Sequence, residues 1–443
     1  MKYNFSHPAK WQVYQAKLQR RSKLKGYLRN LAYLSAATVS ALSALAILFL
    51  VGDWLYDTWS RSARKPPAPE KKGKAPEPAL TRGDLYQFLP SAAGDCSGLT
   101  DQFSHELDGK VYTVETTINT KLQQYITRVL KRSRTLQSAV VVLDPYDGRL
   151  YAMVGRDTVG NGENIILKAD YPAASLFKIV AAAAALERAG FTPDKTLFFK
   201  GRKHTLYKYQ LELSKGKYTR KTTFRKAFAS SNNSVFGKLG IYHLGQNILN
   251  EYADKFQFNR RIAFDLPLEE STIEVPPDSF GLAEISSGFN KKTLISPLHA
   301  ALLATVAANR GKMPIPWLVD TVQDNTGKVH YHAEYKTLSA SVNSKTATVL
   351  KILMQDAVRY GTGRKAFRSL RRKKRFKNFD LGAKTGTIND EKDQFKYDWL
   401  TAFALDSNGG SGICVGILGV HGKILGVRST ELARAIIHYY FSL

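Results

Sequence analysis

Apolar and polar positions along the chain change period three times. Residues 138–155, SAVVVLDPYDGRLYAMVG, are two apolar runs split by Pro-Tyr-Asp-Gly, and they read as two strands joined by a tight turn. Near the other end, YDWLTAFALD (397–406) and GICVGILGV (412–420) read as paired strands, and TELARAIIHYYF (430–441) spaces its apolar residues as an amphipathic closing helix. The stretch from 111, VYTVETTINTKLQQYITRVLKRS, leads into a helix, and a helix-rich middle follows the first strand pair. Early strands, a helical middle and late strands predict an α+β fold. One antiparallel sheet is expected from both ends of the domain, with helices on its faces and a helical subdomain between.

A different pattern precedes this. Residues 31–52, LAYLSAATVSALSALAILFLVG, carry no charge and as a helix would reach roughly 33 Å, enough to span a hydrocarbon core. The run is longer than the apolar part of a cleaved signal and leads into DWLYDTWS, whose aromatics suit an interface, so an uncleaved anchor is expected. Residues 61–80 hold five prolines among alternating charges and read as a semi-extended spacer. The expected plan is a basic cytoplasmic tail (1–30), a transmembrane anchor (31–52), a linker and short connecting region (53–110) and one globular domain (111–443).

Charge refines the plan. Of the 443 residues, 65 are Lys or Arg and 37 Asp or Glu; eight of the basic ones and none of the acidic ones fall in residues 1–30. That asymmetry places the N-terminus in the cytoplasm and the domain outside the membrane, where its balance of about +20 suits carboxylate-bearing wall or anionic headgroups rather than nucleic acid. The segment RKAFRSLRRKKRFK (364–377), nine basic residues in fourteen, reads either as a solvated loop or as a contact for wall peptides or lipid headgroups. Two cysteines, Cys96 and Cys414, supply no disulfide framework; a single bridge between them stays open.

Candidate chemistry starts in AASLFKIVAAAAAL (173–186), where Lys178 stands in an otherwise apolar run three residues after Ser175. On a helix the two share a face, and a desolvated amine there takes a hydroxyl proton and makes a nucleophile. Pro172 is expected to start that helix, with Ser175 in its first turn. Ser-x-x-Lys also occurs at Ser22/Lys25, Ser62/Lys65 and Ser214/Lys217, all in polar basic surroundings. Two later elements set the Ser175 site apart: ASSNNSVFGKLG (229–240), with Ser-x-Asn in the registers Ser230/Asn232 and Ser231/Asn233, and GAKTGTIND (382–390), with Lys384, Thr385, Gly386 and Thr387. In the latter, glycine lets backbone lie close to a ligand while lysine and threonines suit a carboxylate.

In this order, Ser175-Leu176-Phe177-Lys178, Ser231-Asn232-Asn233 and Lys384-Thr385-Gly386-Thr387 resemble the three motifs of the penicillin-binding protein transpeptidase domain, among the penicillin-recognising serine enzymes. LDPYDGRLYAMVG, ISPLHAALLATVAANRGKMPIPWLVD and RYGTGRKA resemble other parts of that domain, so the likeness covers most of 111–443. The family's spacing favours the Ser231/Asn233 register. Ser-Asn-Asn replaces the Ser-x-Val of class D β-lactamases, and no Glu-x-x-Leu-Asn of class A enzymes lies between the second and third motifs. The resemblance implies a serine D,D-transpeptidase that cross-links stem peptides ending in D-alanyl-D-alanine and is acylated by β-lactams. It implies Ser175 as nucleophile, Lys178 as base, Ser231 as proton relay, Asn233 holding Lys178 and a substrate amide, and Lys384, Thr385 and Thr387 binding the terminal carboxylate, with Gly386 between them. Ser175 and Thr387 N–H groups are expected to form an oxyanion hole. No metal or cofactor is expected; other cell-wall synthesis proteins are expected partners. The alternatives are a D,D-carboxypeptidase or β-lactamase, and a membrane-bound β-lactam sensor.

Overall fold

Along the first strand of the domain's sheet, Val140 and Val142 join one buried cluster while Ala139, Val141 and Leu143 join another. A strand covered on both faces loses the polar half of its alternation, which is why this segment is apolar throughout. The computed structural model describes residues 80–89, 96–160, 164–408 and 410–443. Five strands form the central sheet: β1 (Gln137–Leu143), β2 (Leu150–Asp157), β3 (Phe379–Asn389), β4 (Lys396–Asp406) and β5 (Gly412–His421). Their order is β3-β4-β5-β1-β2, every neighbouring pair antiparallel. The two ends of the domain meet where Ile417 of β5 lies opposite Val140 of β1. The sheet therefore has the composite origin expected of it.

Eight helices matter for the site: α1 (Thr120–Lys131), α2 (Lys178–Arg188), α3 (Asn233–Leu239), α4 (Ser279–Ser287), α5 (Pro297–Ala308), α6 (Ser344–Arg359), α7 (Arg364–Arg372) and α8 (Ser429–Tyr440). On one face of the sheet, Leu122 and Ile126 of α1 and Leu432, Ile436 and Ile437 of α8 pack with Val140, Val142, Val415 and Ile417. Helix α5 covers the other face. All its residues are buried, as a helix apolar on nearly every side requires, and its two polar side chains, His299 and Thr305, bond the carbonyls of Phe256 and Leu302. Gly416 admits α5 this closely: a Cβ there would lie 2.6 Å from Ala301 N and 2.7 Å from the Pro297 carbonyl oxygen.

Residues 80–89 and 96–110, within the stretch read from sequence as linker and connecting region (53–110), pack onto the domain. Leu85, Phe88 and Leu89 are buried in the main core. Strand Gln102–Leu107 pairs with Lys110–Thr116, which pairs with Val319–Asp324 and through it Val329–His332, a second antiparallel sheet of four strands. Arg82 Nε lies 3.1 Å from the buried Asp265 carboxylate, whose other oxygen accepts from Leu318 and Val319 N–H at 2.7 and 2.8 Å. The compact unit runs from Glu77 to Leu443. The expected tail, anchor and most of the spacer lie outside the described residues, among which no helix is long and apolar enough to cross a membrane. Cys96 and Cys414 are both buried thiols without a bridge between them; Cys96 Sγ accepts from Asn164 Nδ2 at 2.9 Å.

Candidate active site

The helix does not begin at Pro172. Tyr171–Pro172 pair with Leu294–Ile295, the Pro172 carbonyl accepts from Trp399 Nε1 at 2.8 Å, and Ala173 N–H donates to Thr293 O at 2.8 Å. These tertiary bonds hold the proline extended. Helical geometry starts as a 3₁₀ turn, Ala174–Phe177, that runs into α2 at Lys178. Ser175 sits in that turn and is half-buried, while Lys178 is fully buried.

Three elements converge on Lys178. Its Nζ lies 2.9 Å from Ser175 Oγ and 2.8 Å from Asn233 Oδ1, and also donates to the carbonyl of Ser287 at the end of α4. The Phe236 ring lies 5.6 Å from the ammonium position. Burial, and then the nearby charge of Lys384, push its pKa well below the ordinary lysine value. An amine that sheds its proton beside a hydroxyl is a base aimed at a nucleophile.

The two Ser-x-Asn registers separate at the start of α3. Asn232 is the N-cap, its Oδ1 accepting from Val235 N–H at 3.2 Å, so its carboxamide oxygen is spent on the helix end. Asn233, one residue on, turns to Lys178. Ser231 Oγ accepts from Lys384 Nζ at 3.0 Å. The structure thus brings Ser231 and Asn233 to the site. Ser230 instead donates to Lys226 O at 2.7 Å, the bond of an ordinary helix terminus.

Lys384 lies on edge strand β3, opposite Thr401 of β4, and not in a surface loop. It is fully buried, and burial pushes its pKa down to about 7. Its Nζ also donates to the Thr385 carbonyl at 2.7 Å, and Phe228 lies 5.8 Å away. After Thr385 on the strand, Gly386 allows close approach to the Ser175 turn: a Cβ there would stand 3.2 Å from Ala174 Cβ and 3.4 Å from Ser175 N. Thr385 Oγ1 lies 2.6 Å from Thr362 Oγ1, and Thr387 is exposed. Ser175, Ser231, Asn233, Thr385 and Thr387 all line one cleft of about 570 Å³. Ala174 (φ 49°) and Ser231 (φ 52°) hold left-handed backbone beside the two serines, a conformation that costs roughly 1–3 kcal/mol for a non-glycine residue and clusters at working sites.

A family model for the penicillin binding protein transpeptidase domain matches residues 138–437, more than half of the chain. The chain belongs to that family. It is 28% identical over 283 residues to penicillin-binding protein 1A of Neisseria lactamica, a match covering 61% of this chain and 31% of that protein. It is 25% identical over 390 residues to the peptidoglycan D,D-transpeptidase MrdA of Haemophilus influenzae, covering 74% of this chain and 56% of that one. The chain therefore spans about a third to just over half the length of these relatives. Among solved structures, the D,D-transpeptidase domain of a peptidoglycan glycosyltransferase from Eggerthella lenta superposes with a TM-score of 0.61 at 24% identity, covering 74% of this chain and 82% of that one. The imipenem acyl-enzyme complex of penicillin-binding protein A from M. tuberculosis gives 0.61 at 24% identity, over 74% and 79%. At these identities the likeness is one of fold.

Within this domain the cleft also takes residues that no sequence motif singled out: His204, Phe289, Arg428 and Thr430. His204 lies in a loop whose Lys203 carbonyl accepts from Asn233 N–H at 2.7 Å. Arg428 is held by Asp398, with Nε and Nη2 each 3.0 Å from a carboxylate oxygen. Thr362 and Lys365, both in RYGTGRKA, line it too. His204, Phe289 and Arg428 come from loops with no period and Thr430 from the first turn of α8, and only tertiary folding brings them together.

Proposed function

We propose that this chain is a membrane-anchored serine D,D-transpeptidase that cross-links peptidoglycan stem peptides through an acyl-enzyme on Ser175 and is acylated by β-lactams. Neutral Lys178 Nζ takes the Ser175 proton as Oγ forms a bond to the carbonyl carbon of the penultimate D-alanine. N–H groups of Ser175 and Thr387 hold the oxyanion, usually the largest electrostatic contribution in such chemistry. The C–N bond breaks, and Ser231, bonded to Lys384, passes a proton to the departing D-alanine amine. Lys384, Thr385 and Thr387 bind the terminal carboxylate, and Asn233 keeps Lys178 pointed at the serine. An amine of a second stem peptide then attacks the ester, gives up its proton along the same path and frees Ser175. Residues 31–52 anchor the domain on the outer face of the cytoplasmic membrane.

One observation carries this reading: Lys178 Nζ stands between Ser175 Oγ and Asn233 Oδ1 in a buried setting that lowers its pKa. A tagged penicillin should leave its adduct on Ser175 and none on Ser175→Ala; an adduct elsewhere, or none on the unaltered chain, overturns the assignment. Counting cross-links against released D-alanine then separates an amine acceptor from water.

A further inference from the structure

The basic segment 364–377 is a helix followed by a single turn, and its order exposes a feature the catalytic reading does not use. Ala366, Phe367 and Leu370 of α7, with Phe376 beyond it, are buried in the core. The opposite face carries Arg364, Arg368, Arg371 and Arg372, spaced by four, seven and eight residues so that they share one side. These four alone line a surface cavity of about 360 Å³ with no carboxylate in its walls. Acids on the adjoining elements are engaged elsewhere: Asp356 of α6 by Arg225, and Asp380 of β3 by Lys351. Arg371 Nε is buried with no hydrogen-bond partner among the described residues. Burial, and then the charges of Arg359, Arg364 and Arg372, push the Arg371 guanidinium below its ordinary pKa. Guanidinium groups crowded without a counter-charge, one with an unanswered donor, are the imprint of a missing anion.

We propose that Arg364, Arg368, Arg371 and Arg372 bind the phosphate of an anionic lipid headgroup at the membrane surface. Phosphate presents several acceptor oxygens to converging guanidinium forks. Two features favour lipid over a soluble phosphate. Positive charge continues past the cavity through Lys373, Lys374, Arg375 and Lys377, matching a charged plane rather than one small ion. The 27 residues 53–79 between anchor and domain span no more than about 95 Å, so headgroups stay at high local concentration; this step rests on the anchored reading above. Because the apolar side of α7 is committed to the core, the contact is by charge alone, without insertion. Thr362 and Lys365 at the start of the same helix face the catalytic cleft, so lipid contact orients that cleft relative to the membrane.

The test titrates the full chain in neutral detergent micelles, at about 0.15 M salt, with short-chain phosphatidylglycerol, and separately with phosphatidylcholine, inorganic phosphate and a tri-glutamate peptide. Phosphorus NMR should show saturable binding of phosphatidylglycerol, weakened about tenfold or more in R368Q/R372Q and less than about twofold in K374Q/K377Q, which removes the same charge outside the cavity. Equal losses in the two variants mean a diffuse field and overturn the site. Binding of phosphatidylcholine as tightly as phosphatidylglycerol overturns anion selectivity. Saturation by inorganic phosphate but not by phosphatidylglycerol overturns the lipid source. Saturation by the peptide alone gives the surface to wall carboxylates and also overturns the proposal. Tagged-penicillin labelling runs in parallel: its retention shows both variants are folded, and its absence from the unaltered chain sinks the catalytic reading without bearing on phosphate binding.

Discussion

Lys178 and Lys384 are fully buried close together, and neither has a carboxylate among its hydrogen-bond partners. In the proposed mechanism their demands are opposite. Lys178 has to lose its proton to act, so acylation rises with pH through its lowered pKa. Lys384 has to keep its proton to hold a carboxylate, so acylation falls as pH passes about 7. The second-order rate of penicillin acylation should therefore be bell-shaped with its alkaline limb near neutrality; a rate still climbing at the ordinary lysine value would refute the pairing. Lys178→Arg keeps the charge but cannot be deprotonated, and should lower acylation on the order of a thousandfold. The same burial destabilises the fold. Because the pKa of Lys384 is lower folded than unfolded, the unfolded chain binds more protons between about pH 7 and the ordinary lysine value, and stability rises with pH across that window. Lys384→Met removes a cost on the order of a few kcal/mol at neutral pH, so calorimetry should show a raised Tm in a protein that no longer acylates. An unchanged or lowered Tm would mean that the bonds to Ser231 and Thr385 outweigh desolvation.

At the scale of elements, adjacent asparagines on one turn do different work. Asn232→Ala removes a helix cap and should cost about 1 kcal/mol of stability with little change in acylation. Asn233→Ala leaves Lys178 without one of its acceptors and should cut acylation about a hundredfold with a smaller loss of stability. The residues alone offered two registers, of which the family's spacing favoured Ser231/Asn233; the direction of the cap separates them physically, because the Asn that bonds Val235 N–H does not reach Lys178. The end of α4 shows the same coupling of element to site. Gly288 closes that helix at φ +60°, and a Cβ on it would lie 2.0 Å from the carbonyl oxygen of Ala174, next to the nucleophile. Gly288→Ala should cost at least about 2 kcal/mol and slow acylation as the Ser175 turn shifts, measured by urea unfolding and stopped-flow acylation. Local pattern failed where tertiary bonds override it. Pro172 is a good helix starter by propensity, yet the Trp399 bond and the pairing with Leu294 hold it extended. The basic run 364–377 hides a helix, since its apolar positions, Ala366, Phe367 and Leu370, are too few to show a period beneath nine charges.

Across the whole molecule, the composite sheet was readable because the central residues of β1, β2, β4 and β5 are buried on both faces and therefore almost wholly apolar, and the three motifs were readable because chemistry restricts their residue types. The start of the domain was not. QFSHEL, residues 102–107, is an edge strand with only two apolar residues, Phe103 and Leu107, both partly buried, and the partner of its hairpin, Val319–Asp324, lies some two hundred residues away, so composition scarcely marks it. Its contribution is testable by cutting the chain at two places. A fragment from Glu77 keeps Leu85, Phe88 and Leu89 in the core, both strands of the hairpin and the Arg82 contact to Asp265. A fragment from Val111 loses all three leucine and phenylalanine anchors and the outer strand, and strands the Asp265 carboxylate without its cation. Each buried apolar side chain is worth about 1.5–3 kcal/mol, and removing one partner of a buried pair about 3–5 kcal/mol, a combined loss comparable with the whole stability of an ordinary domain. The longer fragment should therefore unfold cooperatively and acylate with penicillin at the full-length rate, while the shorter one should be insoluble or melt well below it. Equal melting temperatures for the two would place the boundary at 111 after all and reduce the first sheet to an appendage.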